Sequence, residues 1–85
     1  MVFAKIVEAL GCQVLFYTEP DGDAKAPDRE VLHQIVRIDG VCADIKACGL
    51  TYEAADRALA VADEAKAAQV VMIVRDMIAP EQDGE

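Results

Sequence analysis

The apolar residues at the start of the chain recur at the spacing of an amphipathic helix. They occupy positions 2, 3, 6, 7 and 10, with Lys5 and Glu8 between them, and this spacing places them on one helical face. Gly11 follows, where a glycine commonly ends a helix. We therefore predict a helix over residues 2–10. A short strand is the alternative, because the segment from Val2 to Val7 also suits a strand.

The next two segments change character abruptly. Residues 13–18 are rich in β-branched and aromatic types without clean alternation, which predicts a strand that is covered on both faces or lies at a sheet boundary. Residues 19–30 contain Pro20, Gly22 and Pro27 among five acids. Such a composition disfavours regular structure, so we predict a long, mobile acidic loop there.

A hairpin is the clearest local signal. Apolar segments at 31–38 and 41–48 flank Asp39-Gly40, the dipeptide that favours a two-residue type I′ turn. This turn would set four cross-strand pairs on one face, all apolar except for Gln34: Ile38 with Val41, Val36 with Ala43, Gln34 with Ile45, and Leu32 with Ala47. A shift of one residue would destroy this segregation, which supports the register.

The last third of the chain predicts a helix followed by a strand. Thr51 suits a helix N-cap, and Glu53 lies in the first turn, where the helix dipole favours an acid. Strong helix formers then continue from Tyr52 to about Ala68. Residues 69–75 form an apolar run without alternation, which predicts an interior strand.

These elements predict a single small α+β domain over residues 1–79, in the order α-β-β-β-α-β, followed by an acidic tail at residues 80–85. The simplest arrangement is a four-stranded, mainly antiparallel sheet with one or both helices packed on one face. The strand at Val70–Val74 would then join the sheet through a helical crossover.

Composition and charge narrow the classes of function. The chain has 85 residues and a formal net charge of −8, which argues against direct binding to nucleic acid, since that requires Lys and Arg to neutralise phosphates. The apolar runs are too short to span a membrane, and the start of the chain shows no signal-peptide pattern. Three cysteines with no C-x-x-C spacing favour a reducing cytoplasmic compartment over a disulfide framework.

The residues that could carry chemistry form no recognisable catalytic or metal-binding set. His33 would lie opposite Lys46 with no acid directly across, so we expect an exposed sheet residue. Cys42 and Cys48 would lie roughly 20 Å apart along one strand, too far to share a metal or a disulfide. Cys12 could approach either of them. We expect no catalytic residue, no metal and no cofactor, and Asp21-Gly22-Asp23 lacks the later ligands of a calcium loop.

The placement of the acids is the distinctive feature. One group would form a stripe on the outer face of the predicted helix, and a second would lie in the loop at 19–30; we predict that both bind protein. The helix group is Glu53, Asp56, Asp63 and Glu64, and the loop group is Glu19, Asp21, Asp23, Asp28 and Glu30. The alternative interpretation, without a binding function, is that these acids form a solvated surface that keeps the domain soluble.

Three classes of function follow. The first is a non-enzymatic inhibitor or regulator that docks on a basic, nucleic-acid-handling protein. Small phage-encoded inhibitors of bacterial defence nucleases, the anti-CRISPR type, have the same profile of size, charge and absent motifs, which is an analogy without a shared residue motif. The second is a structural or regulatory domain of a bacterial cytosolic complex, as a homodimer that pairs an exposed strand edge. The third, ranked last, is an enzyme that uses Cys12, Cys42 or His33.

Overall fold

The fold is a four-stranded antiparallel sheet followed by two helices. The computed structural model describes residues 3–22, 25 and 28–78. The strands are β1 (Phe3–Ala9), β2 (Cys12–Pro20), β3 (Arg29–Ile38) and β4 (Val41–Thr51), and the helices are α1 (Tyr52–Ala60) and α2 (Glu64–Ile78). Strands that follow each other in the chain are neighbours in the sheet, in the order β1-β2-β3-β4. The α+β class and the four-stranded antiparallel sheet are confirmed, whereas the observed element order, β-β-β-β-α-α, differs from the expected α-β-β-β-α-β.

The helix predicted over residues 2–10 is wrong, because Phe3–Ala9 is a strand that pairs with β2. The turn between β1 and β2 consists of Leu10 and Gly11, with φ angles of 52° and 77°. Two successive positive φ angles give a type I′ turn, whose twist matches that of the flanking strands. Gly11 does adopt a positive φ, as a glycine at a helix end often does, but it lies in a hairpin turn.

The predicted strand at residues 69–75 is also wrong, because these residues lie within α2. The buried residues of α2 are Ala67, Val70, Val71 and Val74, which recur at the three- and four-residue spacing of a helix that buries one face. Met72 and Ile73 are exposed on the other side. The continuous apolar run thus combines one buried and one exposed helical face, and the expected crossover to a fourth strand does not exist.

The helix predicted from Tyr52 to Ala68 is interrupted. The predicted N-cap is confirmed, since the Thr51 hydroxyl accepts a hydrogen bond from the backbone N–H of Ala54 at 3.1 Å. Asp63 then begins a second helix, as its carboxylate accepts a hydrogen bond from the N–H of Lys66 at 3.0 Å. Such short polar side chains favour helix starts over helix interiors, which accounts for the break after α1.

The hairpin of β3 and β4 is confirmed together with its register. All four predicted cross-strand pairs are present, and Asp39 and Gly40 have φ angles of 52° and 80°, as a type I′ turn requires. A register shift occurs between Glu30 and Leu32 of β3. β2 is confirmed as a strand, but only one of its faces is fully buried, since buried and half-buried residues alternate along it.

The hydrophobic core contains one face of the sheet and parts of both helices. Its members are Ala9, Val14, Phe16, Leu32, Val36 and Ile38 from the sheet, Leu59 from α1, Ala62 between the helices, and Ala67, Val70, Val71 and Val74 from α2. Two hydrogen bonds link the helices to the β1–β2 hairpin. The Lys5 ammonium donates to the Leu59 carbonyl at 3.2 Å, and the Arg75 guanidinium donates to the Leu10 carbonyl at 3.1 Å. No helix in the described ranges is long and apolar enough to cross a membrane.

One polar side chain lies in the core face of the sheet without full hydrogen bonding. Gln34 is 8% exposed, and its Oε1 atom has no hydrogen-bond partner in the described part of the chain. Because an unsatisfied buried acceptor costs about 1–3 kcal/mol, Gln34→Leu should raise the free energy of unfolding by about 1 kcal/mol. Chemical denaturation would measure this rise, and Gln13→Leu at an exposed position of β2 is the matched control. Equal effects of the two substitutions would contradict the prediction.

Candidate functional site

The acids predicted to form a helical stripe lie on separate elements. Glu53 and Asp56 are exposed on α1, Asp63 precedes α2, and Glu64 is the first residue of α2. A single stripe along one helix is therefore wrong, because α1 ends at Ala60 and α2 begins only at Glu64. Glu53 and Asp56 remain together, and with Tyr52, Arg57 and Ala60 they line a shallow depression on the outer side of α1.

The predicted loop group is divided as well. Glu19 belongs to β2 and Glu30 to β3, so the loop is shorter than expected and spans residues 21–28. The Asp21 carboxylate accepts a hydrogen bond from the Gly49 N–H at 2.9 Å, and Asp28 is exposed just before β3. Asp23 and the tail at residues 80–85 lie outside the described residues, as does much of the loop that was predicted to be mobile.

The outer surface of α1 combines an exposed aromatic ring with unpaired acids. The Tyr52 residue is 57% exposed and precedes Glu53 at the start of the helix. Within the described ranges, neither Glu53 nor Asp56 forms an ion pair, and Arg57 is the one base that lines the same depression. We call the surface formed by Tyr52, Glu53 and Asp56 the α1 acidic surface. It presents negative charge at fixed positions, next to a ring that can stack on a cation.

A cluster around His33 is the strongest electrostatic feature of the described structure. His33 is only 6% exposed, which corrects the expectation of an exposed sheet residue. Its Nδ1 lies 2.8 Å from Asp44 Oδ2 and its Nε2 lies 2.6 Å from Glu19 Oε2. The Tyr17 ring stacks on the imidazole, with centroids 4.3 Å apart and planes inclined by 9°.

The sheet register explains this cluster. Lys46 lies directly across from His33, as predicted, and Tyr17 is its partner on the other side. Asp44 and Glu19 pair with Ile35 and Val31, the next residues on the same face of β3, so both acids approach His33 diagonally. Diagonal neighbours lie within reach of long side chains. The contact between His33 and Asp44 can be inferred from the predicted hairpin. The contact between His33 and Glu19 cannot, because it depends on the extension of β2 to Pro20.

The geometry favours a protonated His33. Where both carboxylates are ionised they can only accept hydrogen bonds, so both ring nitrogens then donate and the ring is an imidazolium. Burial by itself lowers the pKa of His33, but the hydrogen bonds to Asp44 and Glu19 and the charges of these acids outweigh it, so that the pKa is raised. Burial and the same two negative charges raise the pKa of Tyr17. With both nitrogens occupied, His33 joins three strands and offers no free nitrogen to a substrate.

A pocket of about 550 Å³ lies beside this cluster. Its lining contains the acids Glu19 and Asp21 and the bases Lys25, Arg29 and Lys46. Glu19 is bonded to His33, and Asp21 accepts from Gly49. Because the lining mixes both charges, it selects no single class of ligand.

The cysteines do not converge on a common site. Cys12 is half-buried and contacts the core, whereas Cys42 and Cys48 are exposed on β4, and all three thiols are free. Within the described ranges, no group of three or more His, Cys, Asp or Glu residues is arranged to hold a metal ion.

Comparisons with known proteins assign no family to this arrangement. No protein-family model matches the chain, and neither the search of curated proteins nor the search of solved structures finds a match.

Proposed function

We propose that this domain is a non-enzymatic protein-binding module, an inhibitor or regulator that docks on the basic surface of a nucleic-acid-binding protein. The observation that carries the proposal is the α1 acidic surface, where Glu53 and Asp56 are exposed, form no ion pair within the described residues and flank a shallow depression. A basic partner would supply the charges that these acids lack. The exposed Tyr52 ring adds the kind of aromatic contact that is enriched in protein interfaces.

The charge of the whole chain supports a role in association. A net charge of −8 on 85 residues would attract a cationic groove over distances comparable to the Debye length, about 8 Å at physiological salt. Such attraction raises the association rate and suppresses partners of like charge. A folded acidic surface that occupies a cationic groove would compete there with the phosphates of a nucleic acid.

Charge reversal on α1 tests this function. The full chain is immobilised and used to capture proteins from a bacterial lysate over a series of salt concentrations. We expect the wild type to retain nucleic-acid-binding proteins that are released by salt and by duplex DNA. The double variant Glu53→Lys/Asp56→Lys should bind them at least about tenfold more weakly, since the partner's bases then face like charges.

The matched control is Glu8→Lys/Asp76→Lys, which reverses two exposed acids away from α1. Each acid-to-lysine change adds two charges, so both double variants carry −8 + 4 = −4. The control should retain most of the binding. Equal losses in both variants would mean that only net charge matters, and unchanged binding by the α1 variant would exclude the α1 acidic surface as the docking site.

A further inference from the structure

The sheet face that does not contribute to the core carries an aliphatic row across three strands. Ile6 of β1 pairs with Leu15 of β2, and Leu15 pairs with Ile35 of β3. Ile6 is 65% exposed, while Leu15 and Ile35 are half-buried. None of the three belongs to the core cluster, which takes its sheet residues from the other face. We call this second face the open sheet face.

Its charges are nearly balanced, unlike those of the rest of the molecule. By strand alternation, the face carries three acids, three bases and the His33 imidazolium: Glu8, Glu19, Asp44, Arg29, Arg37, Lys46 and His33. These charges sum to +1, whereas the chain as a whole carries −8 with a neutral histidine. A strongly basic partner would find no complement here. A second copy of this chain would find a complement, because it offers positive and negative side chains around the same apolar row. The excess negative charge of each copy lies on other surfaces.

We propose that the open sheet face binds the same face of a second copy and forms a two-fold symmetric homodimer. In such an isologous contact the same patch serves both partners, so each aliphatic row lies against the other copy. The contact shares no residue with the α1 acidic surface. It is therefore independent of the proposed docking on a basic protein.

The size of the face sets the strength expected of the dimer. Four strands about 4.8 Å apart, with about 24 Å of paired length, give a face of roughly 450 Å². A standard interface buries about 800 Å² on each partner. The dimer is accordingly a reversible one whose population rises with protein concentration.

The face suits this contact better than the strand edges that the sequence suggested for dimer formation. The outer strands β1 and β4 carry Lys5, Glu8, Asp44 and Lys46, and charged side chains on an edge strand oppose the addition of a further strand. Lys5 is also engaged, because its ammonium bonds to the Leu59 carbonyl. An edge pairing would leave the aliphatic row in water, whereas face packing removes it.

Sedimentation velocity over a wide range of protein concentration tests the proposal. The wild type should pass reversibly from monomer to dimer. Ile6→Lys and Ile35→Lys should each weaken the dimer about tenfold to a hundredfold, the factor expected from the loss of one buried isoleucine. Ile73→Lys is the matched control, because Ile73 is an exposed isoleucine on α2 and the change in charge is identical. It should leave the dimer unchanged.

Three results would overturn the proposal: a wild type that stays monomeric at every concentration, a dimer lost in Ile73→Lys but kept in Ile6→Lys, or a dimer lost in Ile6→Lys but kept in Ile35→Lys. The last pattern would indicate pairing through the β1 edge. Far-UV circular dichroism and thermal unfolding establish that each variant is folded, and Ile6 is exposed enough for its variant to fold. The α1 double reversal should still dimerise, so failure of one proposal leaves the other standing.

Discussion

Replacement of Phe16 by alanine should remove a large part of the stability of the domain. Phe16 is 1% exposed, and it is among the largest fully buried side chains in the described structure. Its truncation leaves a cavity where the sheet meets the helices, at a cost of about 3–5 kcal/mol. A domain of this length has a total stability of roughly 4–13 kcal/mol. Thermal unfolding followed by circular dichroism should show a midpoint lowered by roughly 15–30 °C.

Phe16→Leu is the control for this variant. It keeps most of the apolar volume, so we expect a loss of only about 1 kcal/mol. A large difference between the two variants would show that Phe16 fills a close-packed core. If Phe16→Ala cost less than about 1 kcal/mol, the packing of β2 against the rest of the core would be wrong.

The His33 cluster should make the stability of the protein depend on pH. The pKa of His33 is raised in the folded state, above the ordinary value of about 6.5 that holds in the unfolded chain. The stabilisation is therefore fully present below about pH 6.5 and is lost as the pH rises through the folded pKa. The groups facing the ring are Tyr17 and Glu19 on β2 and Asp44 and Lys46 on β4.

His33→Gln should lower the free energy of unfolding by about 2 kcal/mol at mildly acidic pH, because it removes two charged hydrogen bonds. This value allows for solvent screening, since the Glu19 and Asp44 side chains are 44% and 30% exposed. The difference in the free energy of unfolding between the wild type and His33→Gln, the deficit of the variant, should shrink as the pH rises. Urea unfolding of both proteins over a pH series measures it, and a deficit that grows with pH would contradict the assigned charge state.

The proton itself can be followed directly, because His33 is the only histidine in the chain. Its imidazole proton resonances should titrate with a midpoint above about 6.5, and Glu19→Gln should lower that midpoint by removal of one charged acceptor. Glu8→Gln, on the same sheet face but without a contact to the ring, should leave it unchanged. A wild-type midpoint below the ordinary value would mean that burial outweighs the two acids.

Local signals predicted part of the fold correctly. The Asp39-Gly40 turn and the alternation on both sides determine the β3–β4 hairpin and its register, because a shift of one residue would invert every side chain. Thr51 likewise predicts the start of α1. These features depend on interactions between residues close in the sequence, which a pattern can capture.

The incorrect elements are those whose structure depends on a distant partner. Ile6 and Val7 fit a helix by spacing, and only the pairing with β2 makes their segment a strand. In α2, the β-branched run resembles a strand until Ala67 is included, when a three- and four-residue spacing emerges. Propensity alone could not decide between these states, since tertiary contacts override it.

The candidate sites depended on the same missing information. The contact between His33 and Asp44 follows from the predicted hairpin, but the contact with Glu19 needs the position of β2 beside β3. The acidic stripe failed at Asp63, whose side chain begins a new helix. The open sheet face could not be predicted, because it requires the strand order.

The order of the strands has a consequence for the synthesis of the protein. Each strand pairs with its predecessor, so the sheet can form by successive hairpin closures over short loops, which are entropically inexpensive. The residues of α1 and α2 leave the ribosome only afterwards. Until they dock, Phe16 and Val36 face water on one side of the nascent sheet while the aliphatic row faces water on the other. The growing chain therefore passes through a stage with both faces bare, in which it is most prone to aggregate or to need a chaperone.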